Sequence, residues 1–575
     1  MRRALATVLL GLACLLGVVS SASGHAVLEG STPARGAELK VAPDRVAFRF
    51  NEPVEASLGA VRVFNTAGEE VQSGGLERPG ESAEAIAAEL PDGLPDGLYT
   101  ATYHVVSADA HPISGGITFT IGKPGANQQA FVQGKTISEL LAENETGTVT
   151  EVGFWFVRMV GYLAIALAIG AIVWMLFVLG RARSLPEGSR DEIVSRFRRL
   201  VLPAAVVGLV ASLLAIIFQG SIGAGTSLWN AFGSGIPGEV IHTRFGTMML
   251  VRAGAWAVVL GAVMLAGRSF LKPGAASITC LLAGAILAVT PALAGHASTR
   301  DPSWLLVPSD VIHVAAMAVW TGGLAAMLWI LPAATRRIED PSERTGLLTE
   351  TTIGFSTVAL VSVALIGVSG AIQAIIDVGS IGDLFTTQFG RAVAIKIALF
   401  ILILGLGAAN RMRVIPGLVR RLEKAESPGE PGGRLRRLLR VEMVTVVAVL
   451  GVTAALVSYP PPDAITAGPS SGSVQVGVNR LEYTVDPARI GSNEVHLYMF
   501  NDRTGAPVPV IDMEVAFSLP EQDIAPIEAD TRRAGGGHFV VPSAMLGVKG
   551  DWQANVAIRL SRFDEPIATF EVEIK

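Results

Sequence analysis

GHASTRDPSWLLVPSDVIHVAAMAVWTGG, Gly295 to Gly323, decides how the rest of the chain is read. An apolar run ends in Gly295-His296-Ala297, a polar loop follows, and a second apolar run carries Asp310, His313, Met317 and Trp320. On a helix these four fall at i, i+3, i+7 and i+10, one side of the cylinder. Ionisable side chains inside a bilayer are costly and by default face the protein interior, where they mark a pathway or a site. Imidazole, carboxylate and thioether together suit a transition metal such as copper better than a hard cation.

The composition agrees with a membrane setting. The 575 residues are 50% hydrophobic and 17% charged, where ordinary soluble domains are about 25% charged. Mean hydropathy is +0.49. The N-terminus reads as a secretory signal peptide over residues 1–24, with Arg2 and Arg3 before an apolar run from Ala4 to Val19. Small residues at Ala22-Ser23-Gly24 predict cleavage that would leave His25 first. The two cysteines are Cys14, in that signal, and Cys280, in an apolar span, so a soft-metal site has to come from His and Met.

The expected fold class is mixed: an N-terminal β-sandwich, an eight-helix transmembrane bundle and a C-terminal β-sandwich. Residues 25–122 alternate in short runs such as Val46-Ala47-Phe48-Arg49-Phe50, broken by Pro, Gly and Asn turns. A polar linker covers 123–151. From 152 to 459 eight apolar spans are predicted, near 152–179, 201–218, 247–267, 275–294, 309–331, 353–376, 391–409 and 441–459. A Pro/Gly/Ser-rich linker at 460–473 leads to a second alternating domain at 474–575.

Charge sets the expected orientation. Arg181, Arg183, Arg190, Arg196, Arg198 and Arg199 crowd one connection, and nine Lys and Arg from Arg411 to Arg440 crowd another. The alternate connections hold only Arg244 and Arg300, with Arg391 at a span boundary. The positive-inside rule then puts both terminal domains outside the cytoplasm, in the inner (plasma) membrane. The spans also repeat. Ala215 to Gly223 matches Ala374 to Gly382, and Thr243-Arg244-Phe245-Gly246 matches Thr387-Gln388-Phe389-Gly390. A parallel four-plus-four duplication is expected, with a site near the interface of the halves.

All eight histidines fall outside or in the outer half of a span. In the first domain, a mature N-terminal His25 could chelate a metal through its amine and ring, and Asp109-Ala110-His111 could add a carboxylate and a second imidazole, a set suited to Cu(II). In the spans, His242, Met248, Met249, His296, Asp310, His313 and Met317 form an expected ladder for copper entering from outside. His296 is expected to end the fourth span and His313 to open the fifth. Arg252 and Lys396, at matching repeat positions, complicate this ladder, because fixed positive charge repels a copper ion. Asp310 is then either an ion-pair partner or a ligand. In the tail, His496 and Met499 point to opposite faces of a strand and His538 reads as structural.

His25-Ala26, Ser31 to Gly36, Phe50-Asn51-Glu52-Pro53-Val54 and Ser107 to Gly115 resemble the CopC copper-binding family. That resemblance implies a β-sandwich whose Cu(II) ligands are His25, Asp109 and His111, with Glu52 beside them. Gly295-His296-Ala297, Asp310-x-x-His313 and Trp320-x-Gly322-Gly323 resemble CopD, its membrane partner, and the whole is similar to fused CopC–CopD copper importers. Gly550-Asp551-Trp552 looks like the start of a strand in YtkA-like domains. The expected cofactor and cargo is copper, the partners are a copper ion and the lipid bilayer, and no nucleic-acid surface or catalytic constellation is read. Two alternatives follow from the same histidines: a membrane haem protein, which a Soret band would reveal, and a copper-dependent oxidative enzyme, which oxygen consumption would reveal.

Overall fold

The computed structural model describes residues 26, 28–56, 60–65, 67–107, 112–122, 147–182, 189–266, 270, 274–459, 461, 470–535 and 537–574. The chain divides into two compact units. One holds Thr148–Gln219 and Pro237–Asp463; the other holds His25–Gly147, Gly220–Ile236 and Ala464–Lys575.

In the second unit the first nine strands are β1 (Leu28–Thr32), β2 (Ala37–Leu39), β3 (Arg45–Phe50), β4 (Val54–Glu55), β5 (Val61–Phe64), β6 (Ser73–Glu77), β7 (Ala85–Glu89), β8 (Gly97–Ser107) and β9 (Pro112–Ile121). They make two sheets, β1-β3-β7-β6 and β2-β9-β8-β4, with β5 also paired to β8. The period-2 pattern sends Val46, Phe48 and Phe50 inward against Ala101, Tyr103, Ile117 and Phe119, all nearly or wholly buried. Tyr103 closes this core, with ring centroids 5.0 Å from Phe48 and 5.3 Å from Phe50.

The last nine strands repeat the architecture. They are β10 (Ser470–Val476), β11 (Asn479–Asp486), β12 (Gly491–Asn501), β13 (Asp512–Leu519), β14 (Ile524–Ala529), β15 (Arg532–Gly535), β16 (His538–Leu546), β17 (Gly550–Arg559) and β18 (Ile567–Ile574). Their sheets run β10-β11-β12-β16-β15 and β14-β13-β17-β18. Val495, Leu497 and Met499 of β12 face the core with Trp552 and Phe517.

The alternate residues of β12 ought to meet water, yet Glu494 and His496 are fully buried. The first sandwich covers them. Arg35 donates to the Asp486 carbonyl at 2.8 Å and lies 3.3 Å from its carboxylate and 3.6 Å from that of Glu494. Thr118 of β9 donates to Glu494, and the Gly116 amide donates to Asp486 at 3.3 Å. Glu494 lies 3.3 Å from His496 Nε2, and His496 Nδ1 lies 3.2 Å from His538 Nε2. Burial alone would lower the Arg35 guanidinium, but the two carboxylates outweigh it and hold the group above its ordinary value.

Burial of His538 beside His496 is expected to make the last sandwich acid-sensitive. Burial, reinforced by the neighbouring His496, pushes His538 well below the ordinary imidazole value. A histidine depressed in the folded state contributes stability that is complete above its unfolded value, about 6.5, and is lost as pH falls beneath that. The slope from this one group approaches about 1.4 kcal/mol per pH unit. Pulse proteolysis of the full chain in urea should therefore show residues 470–574 weakening between pH 6.5 and 5. His538→Phe, which keeps a ring to stack on Tyr498, should flatten that slope. Equal slopes in both proteins would rule the pair out as the cause.

Among the described residues of the first unit, eight helices are long and apolar enough to cross a membrane. We number them α1 (Thr148–Phe177), α2 (Arg190–Gly223), α3 (Arg244–Ala266), α4 (Ala275–Ala294), α5 (Ser303–Trp329), α6 (Pro341–Val378), α7 (Gln388–Ala409) and α8 (Gly429–Leu456). They extend past the apolar runs because polar ends finish them. Asp340, for example, caps α6 by accepting from the Ser342 and Glu343 amides at 2.6 and 3.3 Å. The apolar windows of α1 and α5 are 72% and 67% buried against 17% for α6 and α7, so α1 and α5 form the centre.

Glycine sets that centre. A Cβ on Gly170 of α1 would lie 2.3 Å from the Ala318 carbonyl, and one on Gly322 of α5 would lie 2.2 Å from the Ala166 carbonyl. Ala166/Gly170 and Ala318/Gly322 are thus facing small-xxx-small pairs that let two backbones touch. The repeated segments share local structure. Thr243 and Thr387 accept from the Gly246 and Gly390 amides at 3.1 and 3.0 Å. A Cβ on either glycine would come within 1.9 Å of the carbonyl of a residue in the short helix before it.

Candidate functional site

The turn from α4 to α5 and the first half of α5 line a cavity of about 190 Å³ inside the helical unit. His296 opens the 3-10 turn His296–Ser298 directly after α4. α5 begins at Ser303, so His313 lies ten residues in, about 15 Å along the axis, deeper than the sequence suggests. Pro308 sits within that added length, inside the helix, where its missing N–H removes one bond of the i→i−4 ladder. Asp310, His313 and Met317 all line the cavity with His296, as their shared face requires. Trp320 belongs to the same face but lines a different cavity, seven residues and about 10 Å beyond His313.

Hydrogen bonds fix how His313 is presented. The Ser369 hydroxyl donates to the Leu365 carbonyl at 2.6 Å, so it accepts from His313 Nδ1 at 3.0 Å. The Ser369 carbonyl in turn takes the Ser309 hydroxyl at 3.2 Å. With Nδ1 carrying the proton, Nε2 keeps the lone pair that a metal would take. The walls also include Tyr162 of α1, Gln373 and Asp377 of α6, Lys396 of α7 and Thr453 of α8. Arg300 ties Asp377 at 3.7 Å and donates to the Ile376 carbonyl at 2.9 Å, anchoring the α4–α5 connection to the end of α6. Lys396 shares the cavity with Asp310, whereas Arg252 turns away and donates to Thr290 at 2.8 Å.

The structure does not bring the rest of the expected ladder here. His242 is exposed in the turn before α3. Met248 packs against the apolar cluster of Val289, Ala292, Leu293, Val307 and Val311, and Met249 is buried; neither lines the cavity. His25, Asp109 and His111 lie outside the described residues, and Glu52 is buried. Among the described residues no three His, Cys, Asp or Glu side chains converge as a metal-holding group. Chemically, the cavity offers one oriented imidazole, a thioether and carboxylates balanced by an amine. Such a set fits brief residence of a soft cation, since conduction needs sites weak enough to leave.

Signals for the missed residues were present. Asp377 is an ionisable residue at the end of an apolar span, and Gln373 sits one turn before it, on the same face.

Comparison with known proteins agrees in three segments. The CopC domain family matches residues 28–122, the "copper resistance protein D-like, N-terminal domain" family matches 149–303, and the "copper resistance protein D" family matches 349–456. The copper transport protein CutJ of Bacillus subtilis is 26% identical over 550 residues, 94% of each chain. Copper resistance protein D of Pseudomonas syringae pv. tomato is 26% identical over 310 residues, 53% of this chain and 96% of its own. The crystal structure of CopC from Methylosinus trichosporium OB3b aligns with 18% of this chain and 98% of its own, at 25% identity and a TM-score of 0.16.

Proposed function

Since the chain belongs to the copper transport and resistance family, with CopC and CopD domains fused in one polypeptide, we propose that it captures Cu(II) outside the membrane and passes copper inward through its eight helices. Capture falls to His25, Asp109 and His111, whose nitrogen and oxygen donors suit the cupric ion. Both terminal domains then lie outside the cytoplasm, as the Arg-rich connections on the opposite side favour. The relatives' own names, copper transport protein and copper resistance protein, support copper as the cargo. The inward direction follows the resemblance to fused importers.

One observation carries the reading: His296, Asp310, His313 and Met317 line a single cavity within the membrane-spanning unit. His313 is the residue to test, because its Nδ1 is committed to Ser369 and only Nε2 is left for a ligand. Cellular copper accumulation with His313→Ala should fall at least about tenfold, a loss of roughly 1.4 kcal/mol or more in the passage step. Accumulation equal to wild type at matched protein levels would end this reading.

A further inference from the structure

A second cavity of the helical unit, about 330 Å³, is walled by α5, α6, α7 and α8. Its lining is largely apolar, and it opens where Leu360 of α6 and Leu404 of α7 are 55% and 41% exposed on the lipid-facing side. α7 contributes Gly407 and Ala408 there, and a Cβ on Gly407 would meet nothing within 4 Å. The groove therefore has an open mouth at bilayer depth.

Its polar end is built differently. Glu442 of α8 is only 4% exposed, and Asn410 Nδ2 donates to its carboxylate at 2.7 Å. Among the described residues, Asn410 Oδ1 is buried and has no hydrogen-bond partner. Asn410 also opens a π-helical turn, Asn410–Val414, a feature frequent at functional sites. A carboxylate this buried is costly, and simple packing would be served by leucine. Arg411 lines this end too but donates to Ser356 at 3.1 Å, so the two acceptors are left to a ligand's donor, with the rings of Trp320 and Phe355 in the wall.

We propose that this groove binds a lipid-dissolved hydroquinone, its apolar tail leaving past Gly407, its ring against Trp320 and Phe355, and one hydroxyl set between Asn410 Oδ1 and the Glu442 carboxylate. The purpose of such a ligand rests on the copper reading. Trp320 lies three residues, about 4.5 Å of helix rise, from Met317 in the copper cavity. One hydroquinone gives up two electrons and two protons to become the quinone. Two Cu(II) ions gain one electron each and become Cu(I), the state that thioether donors favour. Glu442 accepts the first proton, and the second passes to water.

The test uses the full chain in nanodiscs under argon, titrated without copper by a decyl-tailed benzohydroquinone while tryptophan fluorescence is followed. Saturable binding is expected, weakened at least tenfold by Gly407→Leu, which blocks the mouth without a clash, and by Asn410→Leu. Cu(II) is then added with a Cu(I)-selective chelator, and the wild type should form the coloured Cu(I) complex faster than either variant. Absence of saturable binding, binding unchanged in both variants, or equal displacement by a ring-free decyl lipid would overturn the proposal. Binding with Cu(II) reduction no faster than in protein-free discs would overturn the electron-transfer step. Because the titration contains no copper, it stands even where copper uptake proves independent of His313, so the two readings fail separately.

Discussion

Gly322→Leu is expected to cost the helical unit its fold. The atoms that a side chain at 322 would strike are the Ala166 carbonyl at 2.2 Å and Gly170 Cα at 2.6 Å, both backbone, so no flexible group can give way. The clash falls between α1 and α5, the most buried helices, and their separation would open the wall that carries His313 and Met317. Overpacking a core ordinarily costs about 1–3 kcal/mol, and a backbone clash belongs at or beyond the top of that range. Monodisperse yield on size exclusion and the melting temperature in detergent should both collapse. Gly261→Leu on α3, where a Cβ meets nothing within 4 Å, should leave both unchanged. Matching behaviour of the two variants would refute the close crossing. The glycines of Trp320-x-Gly322-Gly323 are thus accounted for by packing: Gly322 admits α1, and Gly323 admits Phe355 of α6, whose ring a Cβ would approach to 2.3 Å.

Arg35→Ala should uncouple the two sandwiches. Its side chain is 18% exposed, and it faces Asp486 and Glu494, which are 3% and 0% exposed. Removing one partner of a buried ion pair typically costs about 3–5 kcal/mol, because the remaining charges stay buried without compensation. Interface protection in hydrogen exchange, read at Gly116 and Thr118 of β9, should drop in the variant. A triple variant, Arg35→Met with Asp486→Asn and Glu494→Gln, should recover much of the loss, since it removes the stranded charges together with their partner. Unaltered exchange in Arg35→Ala would show that apolar contact alone holds the sandwiches.

Much of this was legible beforehand, for physical reasons that differ by region. The eight apolar runs announced themselves because a bilayer demands about twenty apolar residues per crossing. Their ends did not, because caps such as Asp340 and the polar first turn of α2 carry helices past the apolar window. The shared face of Asp310, His313 and Met317 followed from helix geometry, whereas the depth of His313 depended on where α5 starts. Met248 has the chemistry of a ligand, and the sequence offered no means of seeing that α4 and α5 claim it for packing. His496 and His538 were hardest. Strand alternation gave His496 the face opposite Met499 and His538 read only as structural; it takes the covering sandwich, remote in sequence, to bury His496.

That covering has a topological result. Arg35 and Asp486 are 451 positions apart, and the helices lie on the chain between them. Distance along the sequence is accordingly no guide to what folds together, and a truncation just after α8 would strip Arg35, Gly116 and Thr118 of the carboxylates they hold.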